Sequence, residues 1–187
     1  MNLIDFNHFS GFETLEDIFV DTGIILAFLN EFDAWHPTVN ILFTNHILNN
    51  SNELTLYTHS GIINEVTHLA EKPLDQYMKA FNFGLSENDI NETAKNAING
   101  LSQMIEQNYL EVLVSNKASL LQQAKYSRYF GSTDSLIVSI LQEYGISLLT
   151  VDYRLARKIQ AKSAEFSNIR NLYVTDSSHM DYQIVNE

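Results

Sequence analysis

The sequence predicts an α/β fold: one domain with a central parallel β-sheet flanked by helices. Three observations point there. Short β-branched runs alternate along the chain with longer stretches of helical periodicity. Seven Gly and two Pro punctuate 187 residues, with no linker-like or low-complexity stretch and no internal repeat. At 45% hydrophobic residues, a chain of this length supports one proper core and is too short for two full-sized domains. Strands separated by helices need crossovers, and crossovers give parallel strands covered on both faces.

The elements follow in order. DIFVD (17–21) reads as a strand and TGIILAFLN as a short helix after it. HPTVNILFTNHIL (36–48) reads as a helix with Pro37 in its first turn, where a missing N–H does no harm. LTLYT (54–58) is a strand, and SGIINEVTHLAEK (60–72) a helix that Ser60 can cap. Ser86 and Asp89 have capping-box spacing at the head of a long helix, 86–108. YLEVLV (109–114) is a strand and KASLLQQAKYSRY (117–129) a helix. DSLIVSILQEY (134–144) is a helix that turns at Gly145 into the strand ISLLTV (146–151). YRLARKIQAKS (153–163) is helical, and NLYVT (171–175) is the last strand.

Composition narrows the function classes. No apolar run approaches the roughly 20 residues that span a bilayer, so no membrane partner is expected. The first residues, MNLIDFNHFSGFETLED, lack the basic and apolar regions of a signal peptide, which makes the cytoplasm the expected compartment. Without cysteine there is no disulfide framework and no thiolate zinc site. The formal net charge of −12 argues against a general nucleic-acid coat protein. Charge is also segregated: residues 1–71 hold ten acids and no Lys or Arg, whereas 120–165 hold six basic residues against four acids.

Two aspartates bracket the apolar stretch 134–152. The helix 134–144 climbs about 16 Å at ~1.5 Å per residue, and the strand 146–151 returns about 20 Å at ~3.3 Å per residue. Asp134 and Asp152 therefore end near one edge of the sheet. Asp21 closes the first strand at its carboxyl end, and Glu65 sits in the first turns of the helix after the second strand. In a parallel sheet, strand carboxyl ends and the following helix starts share the edge where ligands bind. Each acid alone also reads as a helix cap or a first-turn acid. Together they pose an electrostatic problem, because two carboxylates ~5 Å apart repel by about 3 kcal/mol at an effective dielectric of ~20. Such a cluster needs protonation or a divalent cation, and an all-oxygen donor set favours Mg²⁺ or Mn²⁺ over zinc.

Four blocks, FVDTGIILAFLNEFDAWH, GIINEVTHL, GSTDSLIVSILQEYGI and SLLTVDYRLARKI, resemble those of the PIN-domain nucleases in order and approximate spacing, over residues 18 to about 159. That family includes the RNA-cleaving toxins of bacterial toxin–antitoxin pairs. The resemblance implies a parallel sheet flanked by helices and metal-dependent hydrolysis of RNA phosphodiester bonds. It assigns Asp21, Glu65, Asp134 and Asp152 as the catalytic, metal-holding acids. Thr22, after the first acid, and Thr150, in the hydroxyl-x-Asp pattern Thr150-Val151-Asp152, take supporting roles. An antitoxin protein and a homodimer are the partners it implies besides RNA. On this reading 1–17 is an N-terminal extension, 18–176 the PIN-like domain and 177–187 a tail. Lys125, Arg128, Arg154 and Arg157 are candidates for contacts with RNA phosphates, although ordinary surface charge is the better reading of each taken singly.

Two other classes stay in view. Phe19-Val20-Asp21-Thr22-Gly23 looks like an aspartic-protease signature, but that chemistry needs a second such aspartate in a mostly β protein. A catalytically inactive PIN-like protein-binding module would keep the fold and drop the chemistry. The six histidines lack H-x-x-x-H spacing, and His36 and His59, nearest the strand ends, are expected to be surface or satisfied side chains.

Overall fold

Six strands pair side by side in the computed structural model, which describes residues 1–48, 54–179 and 181. They are β1 (Asn2–Asp5), β2 (Glu16–Val20), β3 (Leu54–His59), β4 (Glu111–Leu113), β5 (Ser147–Thr150) and β6 (Asn171–Val174). Their order across the sheet is β1-β6-β5-β2-β3-β4, and every neighbouring pair is parallel. This is the central parallel sheet the sequence predicts. Phe19 on β2 stands beside Tyr57 of β3 and Leu148 of β5, which fixes the central register. All residues of β5 and β6 are buried, as strands covered by helices on both faces must be.

The covering helices are α1 (Thr22–Leu29), α2 (His36–Leu42), α3 (Ser60–Leu69), α4 (Lys72–Phe81), α5 (Glu87–Glu106), α6 (Lys117–Phe130), α7 (Ser132–Tyr144) and α8 (Tyr153–Gln160). α7 contributes most to the core, with Ser135 to Leu141 continuously buried. Removing a side chain such as Ile137 or Leu141 there would destabilise the fold by about 2–5 kcal/mol. The capping box at Ser86 and Asp89 is present at the head of α5, each side chain bonded to the other's backbone N–H. Among the described residues, no helix is long and apolar enough to cross a membrane.

The elements depart from the sequence reading in four places. β1 is a strand within the stretch 1–17 read as an extension, paired to β6 from Asn2↔Asn171 to Asp5↔Val174; a four-residue edge run beginning at an asparagine carries too little pattern to announce itself. The helix expected over 36–48 is α-helical to Leu42 and continues as a π-helical turn over Phe43–Leu48. The helix expected over 60–72 ends at Leu69, and α4 begins at Lys72, because Pro73 suits the first turn of a new helix and not the interior of an old one. His59 caps α3, its Nδ1 accepting from Gly61 N at 3.0 Å, in place of the expected Ser60. Of the stretch 177–187 read as a tail, 177–179 and 181 are described, and the rest lies outside the described residues.

A buried carboxylate pins the amino-terminal edge of the sheet. Glu16 is 2% exposed. It accepts from Ser147 Oγ at 2.6 Å, Tyr173 OH at 2.6 Å, Glu13 N at 3.1 Å and Asn171 Nδ2 at 3.3 Å. Those donors tie β2, β5 and β6 together, and burial followed by the Glu16 contact holds the Tyr173 phenol well above its usual range.

Candidate metal-binding cleft

The sheet order sets where a ligand can bind. From β2 the chain moves outward through β3 to β4, whereas β5, β6 and β1 lie on the other side. The crevice at the carboxyl ends of β2 and β5 is therefore a topological switch point. Asp21 follows β2 directly and Asp152 follows β5 within two residues.

Each of these aspartates caps a helix as well. Asp21 is the N-cap of α1, its Oδ1 accepting from Thr22 N at 2.7 Å. Asp152 caps α8, its Oδ1 accepting from Leu155 N at 2.9 Å. The capping role and the site role are compatible: a cap fixes one oxygen and so aims the other. Glu65 lies in the second turn of α3, and Asp134 is the third residue of α7, in its first turn.

Two glycines let the four segments close together. A Cβ at Gly23 would stand 2.6 Å from Val151 Cγ2, so only glycine allows the start of α1 to pack on the loop carrying Asp152. A Cβ at Gly61 would stand 2.4 Å from Leu136 Cδ2, so the Leu136 side chain of α7 packs directly against the start of α3. One contact joins the segments of Asp21 and Asp152, the other those of Glu65 and Asp134.

All four acids line one cleft of about 300 Å³, together with Thr22, Asp33, Lys72, Gln76 and Thr133. Thr22 and Thr150 link three of the acids, Asp21, Glu65 and Asp152. Thr22 Oγ1 donates to Glu65 Oε2 at 2.6 Å. Thr150 Oγ1 donates to Asp21 Oδ2 at 2.6 Å while accepting from Asp152 N at 2.9 Å. Asp21 is 8% exposed, and burial pushes its carboxyl up to about 6. The bonds from Thr150 and Thr22 N oppose that rise, and the charges of Glu65 and Asp152 add to it. Asp134 is raised by burial and then by Asp152, with Lys158 pulling the other way. Asp33 is also raised by burial, against a bond from Trp35 N and the charges of His36 and Lys72.

The residue types suit a hard divalent cation. Five carboxylates line the cleft (Asp21, Asp33, Glu65, Asp134, Asp152) against one ammonium, Lys72. Among the described residues, none of the five lies in an ion pair within 4.0 Å. An all-oxygen set with excess negative charge is the chemistry of Mg²⁺ or Mn²⁺. Asp21, Glu65, Asp134 and Asp152 line this cleft, but no three of them bring a carboxylate oxygen each within 4.8 Å of one another, so holding a single ion between them would require their side chains to move inward.

Asp33, Lys72, Gln76 and Lys158 belong to this environment and were not legible in the sequence. Asp33 looks like a turn former, and it does accept from Trp35 N at 2.8 Å. Lys72 and Gln76 arrive on α4, the helix the sequence reading did not separate. Of the four candidate phosphate contacts, Arg154 lines an adjoining groove with Trp35, Asp152, Tyr153 and Asp176. Lys125, Arg128 and Arg157 line neither cleft nor groove. Lys125 pairs with Glu165 at 3.6 Å, and Arg157 donates to Gln160 Oε1 at 3.1 Å. The histidines at the strand ends are satisfied, as expected: His36 Nδ1 bonds to the Ala27 carbonyl at 2.7 Å, and His59 Nε2 to Ser115 Oγ at 2.9 Å.

Compared with known proteins, the chain matches no family model, and a search of curated proteins finds no match.

Proposed function

We propose that the protein is a divalent-metal-dependent ribonuclease that hydrolyses RNA phosphodiester bonds, as its resemblance to the PIN-domain nucleases implies. The observation that carries the reading is that the four expected acids line one cleft at the switch point, where burial first and then the charges of Glu65 and Asp152 push Asp21 up to about 6. A bound Mg²⁺ or Mn²⁺ supplies charge neutralisation at the phosphate and an acidified water. The chain's own residues do the rest. Thr150 and Thr22 fix the rotamers of Asp21 and Glu65 by short hydrogen bonds. The N-caps fix one oxygen each of Asp21 and Asp152, so the site is held by helix and strand ends and not by loops.

The adjoining groove supports a single-stranded substrate. Trp35 and Tyr153 line it with aromatic rings of the kind on which unpaired bases stack, and Arg154 lines it with a guanidinium that can match a phosphate. Lys72 lines the acidic cleft itself. An antitoxin-type protein that masks the cleft, and a homodimer, remain part of this proposal through the resemblance alone.

The experiment is cleavage of single-stranded RNA by the purified chain with Mn²⁺, with Mg²⁺ and with EDTA. Cleavage should need the metal and vanish in Asp21→Asn and Asp152→Asn, both folded by circular dichroism. Full activity of either variant, or activity in EDTA, would end the assignment. A chain that binds Mn²⁺ and cleaves no RNA would favour the binding-module reading.

A further inference from the structure

Outside the acidic cleft, a second constellation stands at the far end of the same sheet edge. β1 and β6 are parallel neighbours, with Asp5 opposite Val174. Each runs out into the same spacing: Asp5-Phe6-Asn7-His8 from the last residue of β1, and Asp176-Ser177-Ser178-His179 from the second residue beyond β6. The two turns fold alike. Asn7 N donates to Asp5 Oδ1 at 3.0 Å, and Ser178 N to Asp176 Oδ1 at 2.9 Å. His8 N donates to the Asp5 carbonyl at 3.1 Å, and His179 N to the Asp176 carbonyl at 3.3 Å. Thr38 Oγ1 holds the His179 carbonyl at 2.9 Å, and Asn7 Nδ2 bonds to Thr175 Oγ1 across the pair.

Because the strands are neighbours and the turns are alike, the two imidazoles face each other. Their centroids are 5.5 Å apart with an interplanar angle of 60°. His8 Nδ1 is 2.7 Å from Asp5 Oδ2. One ligand atom from each of Asp5, His8 and His179 lies within 4.8 Å of the other two. Asp176 belongs to the same neighbourhood: bonds from Ser178 first, and then the charges of His179 and His8, hold its carboxyl below the usual range.

This donor set differs in kind from that of the cleft. Two imidazole nitrogens and a carboxylate suit a borderline divalent ion better than Mg²⁺. Donor atoms on one tetrahedral zinc stand about 3.3 Å apart, given Zn–N and Zn–O near 2.0–2.1 Å. Closing on an ion therefore asks for side-chain movement on the order of 1 Å, which the exposed His8 can make.

We propose that Asp5, His8 and His179 form a second metal site, for a Zn²⁺-class divalent ion, that clips the turn after β1 to the turn after β6. The site is independent of the nuclease reading: it uses none of the cleft residues, and its consequence is to tie the edge strand and the chain leaving β6 together.

The test is zinc binding by the tag-free full chain, measured by equilibrium dialysis and by the visible absorption of the Co²⁺-substituted protein. In the Asp21→Asn background, which removes a carboxylate from the cleft, we expect one zinc per chain at this site, with affinity reduced about tenfold or more when His8→Ala or His179→Ala is added. Co²⁺ should show the intense absorption of a tetrahedral nitrogen-oxygen site in the unaltered chain and lose it in both histidine variants. His8→Gln serves as a second, milder variant, and circular dichroism checks the fold. Two results overturn the proposal: no zinc bound at millimolar concentration, or unchanged affinity in the histidine variants.

Discussion

Asp21→Asn tests the electrostatics of the cleft without reference to any substrate. In the folded chain the Asp21 carboxyl is raised from 3.8 to about 6. At about 1.4 kcal/mol per pH unit, the ionised group opposes folding by about 3 kcal/mol. Between those two values the native chain holds a proton that the unfolded chain has released. Stability from this group therefore falls as pH rises from about 4 to about 6 and is constant above. Asparagine keeps the acceptor for Thr22 N and removes the charge, at the loss of the Thr150 bond, worth about 1 kcal/mol to a neutral carboxyl. The variant should thus be more stable than the unaltered chain by about 2 kcal/mol at pH 8 and no more stable at pH 4. In a chain of this size that is about 4–8 °C in Tm. Millimolar Mn²⁺ should reverse the order at pH 8, because binding to the native state stabilises it by mass action and the variant lacks a ligand. The assay is thermal unfolding by circular dichroism across pH 4–8, with and without Mn²⁺. A variant less stable than the unaltered chain at pH 8 without metal, or an equal Mn²⁺ shift in both, refutes the reasoning.

Thr150→Val keeps the shape of the side chain, removes the donor to Asp21 and strands Asp152 N. It should lower stability by about 1–2 kcal/mol in urea unfolding and weaken Mn²⁺ binding measured by calorimetry; unchanged binding would show that Thr150 does not position the acid. Gly23→Ala places a Cβ 2.6 Å from Val151 Cγ2, so α1 must shift at about 1–3 kcal/mol, with RNA cleavage falling faster than stability. An unaltered urea midpoint would mean that the contact is soft. Glu16→Leu leaves the Tyr173 hydroxyl and the Asn171 amide without their buried acceptor. We expect a loss of about 3 kcal/mol or more, visible as a lower urea midpoint, and a loss below about 1 kcal/mol would contradict the role given to this carboxylate.

The alternation of β-branched runs with helical periodicity determined the fold class, because each strand of a covered parallel sheet must be apolar on both faces, and LTLYT, ISLLTV and NLYVT are nearly so. Helix and strand rise alone brought Asp134 and Asp152 to one edge, and both line the cleft. What escaped the sequence shares one cause: its signal lies in contacts between distant segments. β1 is too short and polar to be read as a strand, and becomes one by pairing with β6. Pro73 restarts a helix whose Lys72 and Gln76 then wall the cleft. Neither Asp5-x-x-His8 nor Asp176-x-x-His179 means anything alone, 171 residues apart from Asp5 to Asp176 in the chain; adjacency of two parallel strands turns them into facing imidazoles. Periodicity and residue chemistry are local and survive in one dimension. Burial and the repulsion that lifts Asp21 arise only when the folded chain excludes water around charges it has brought together.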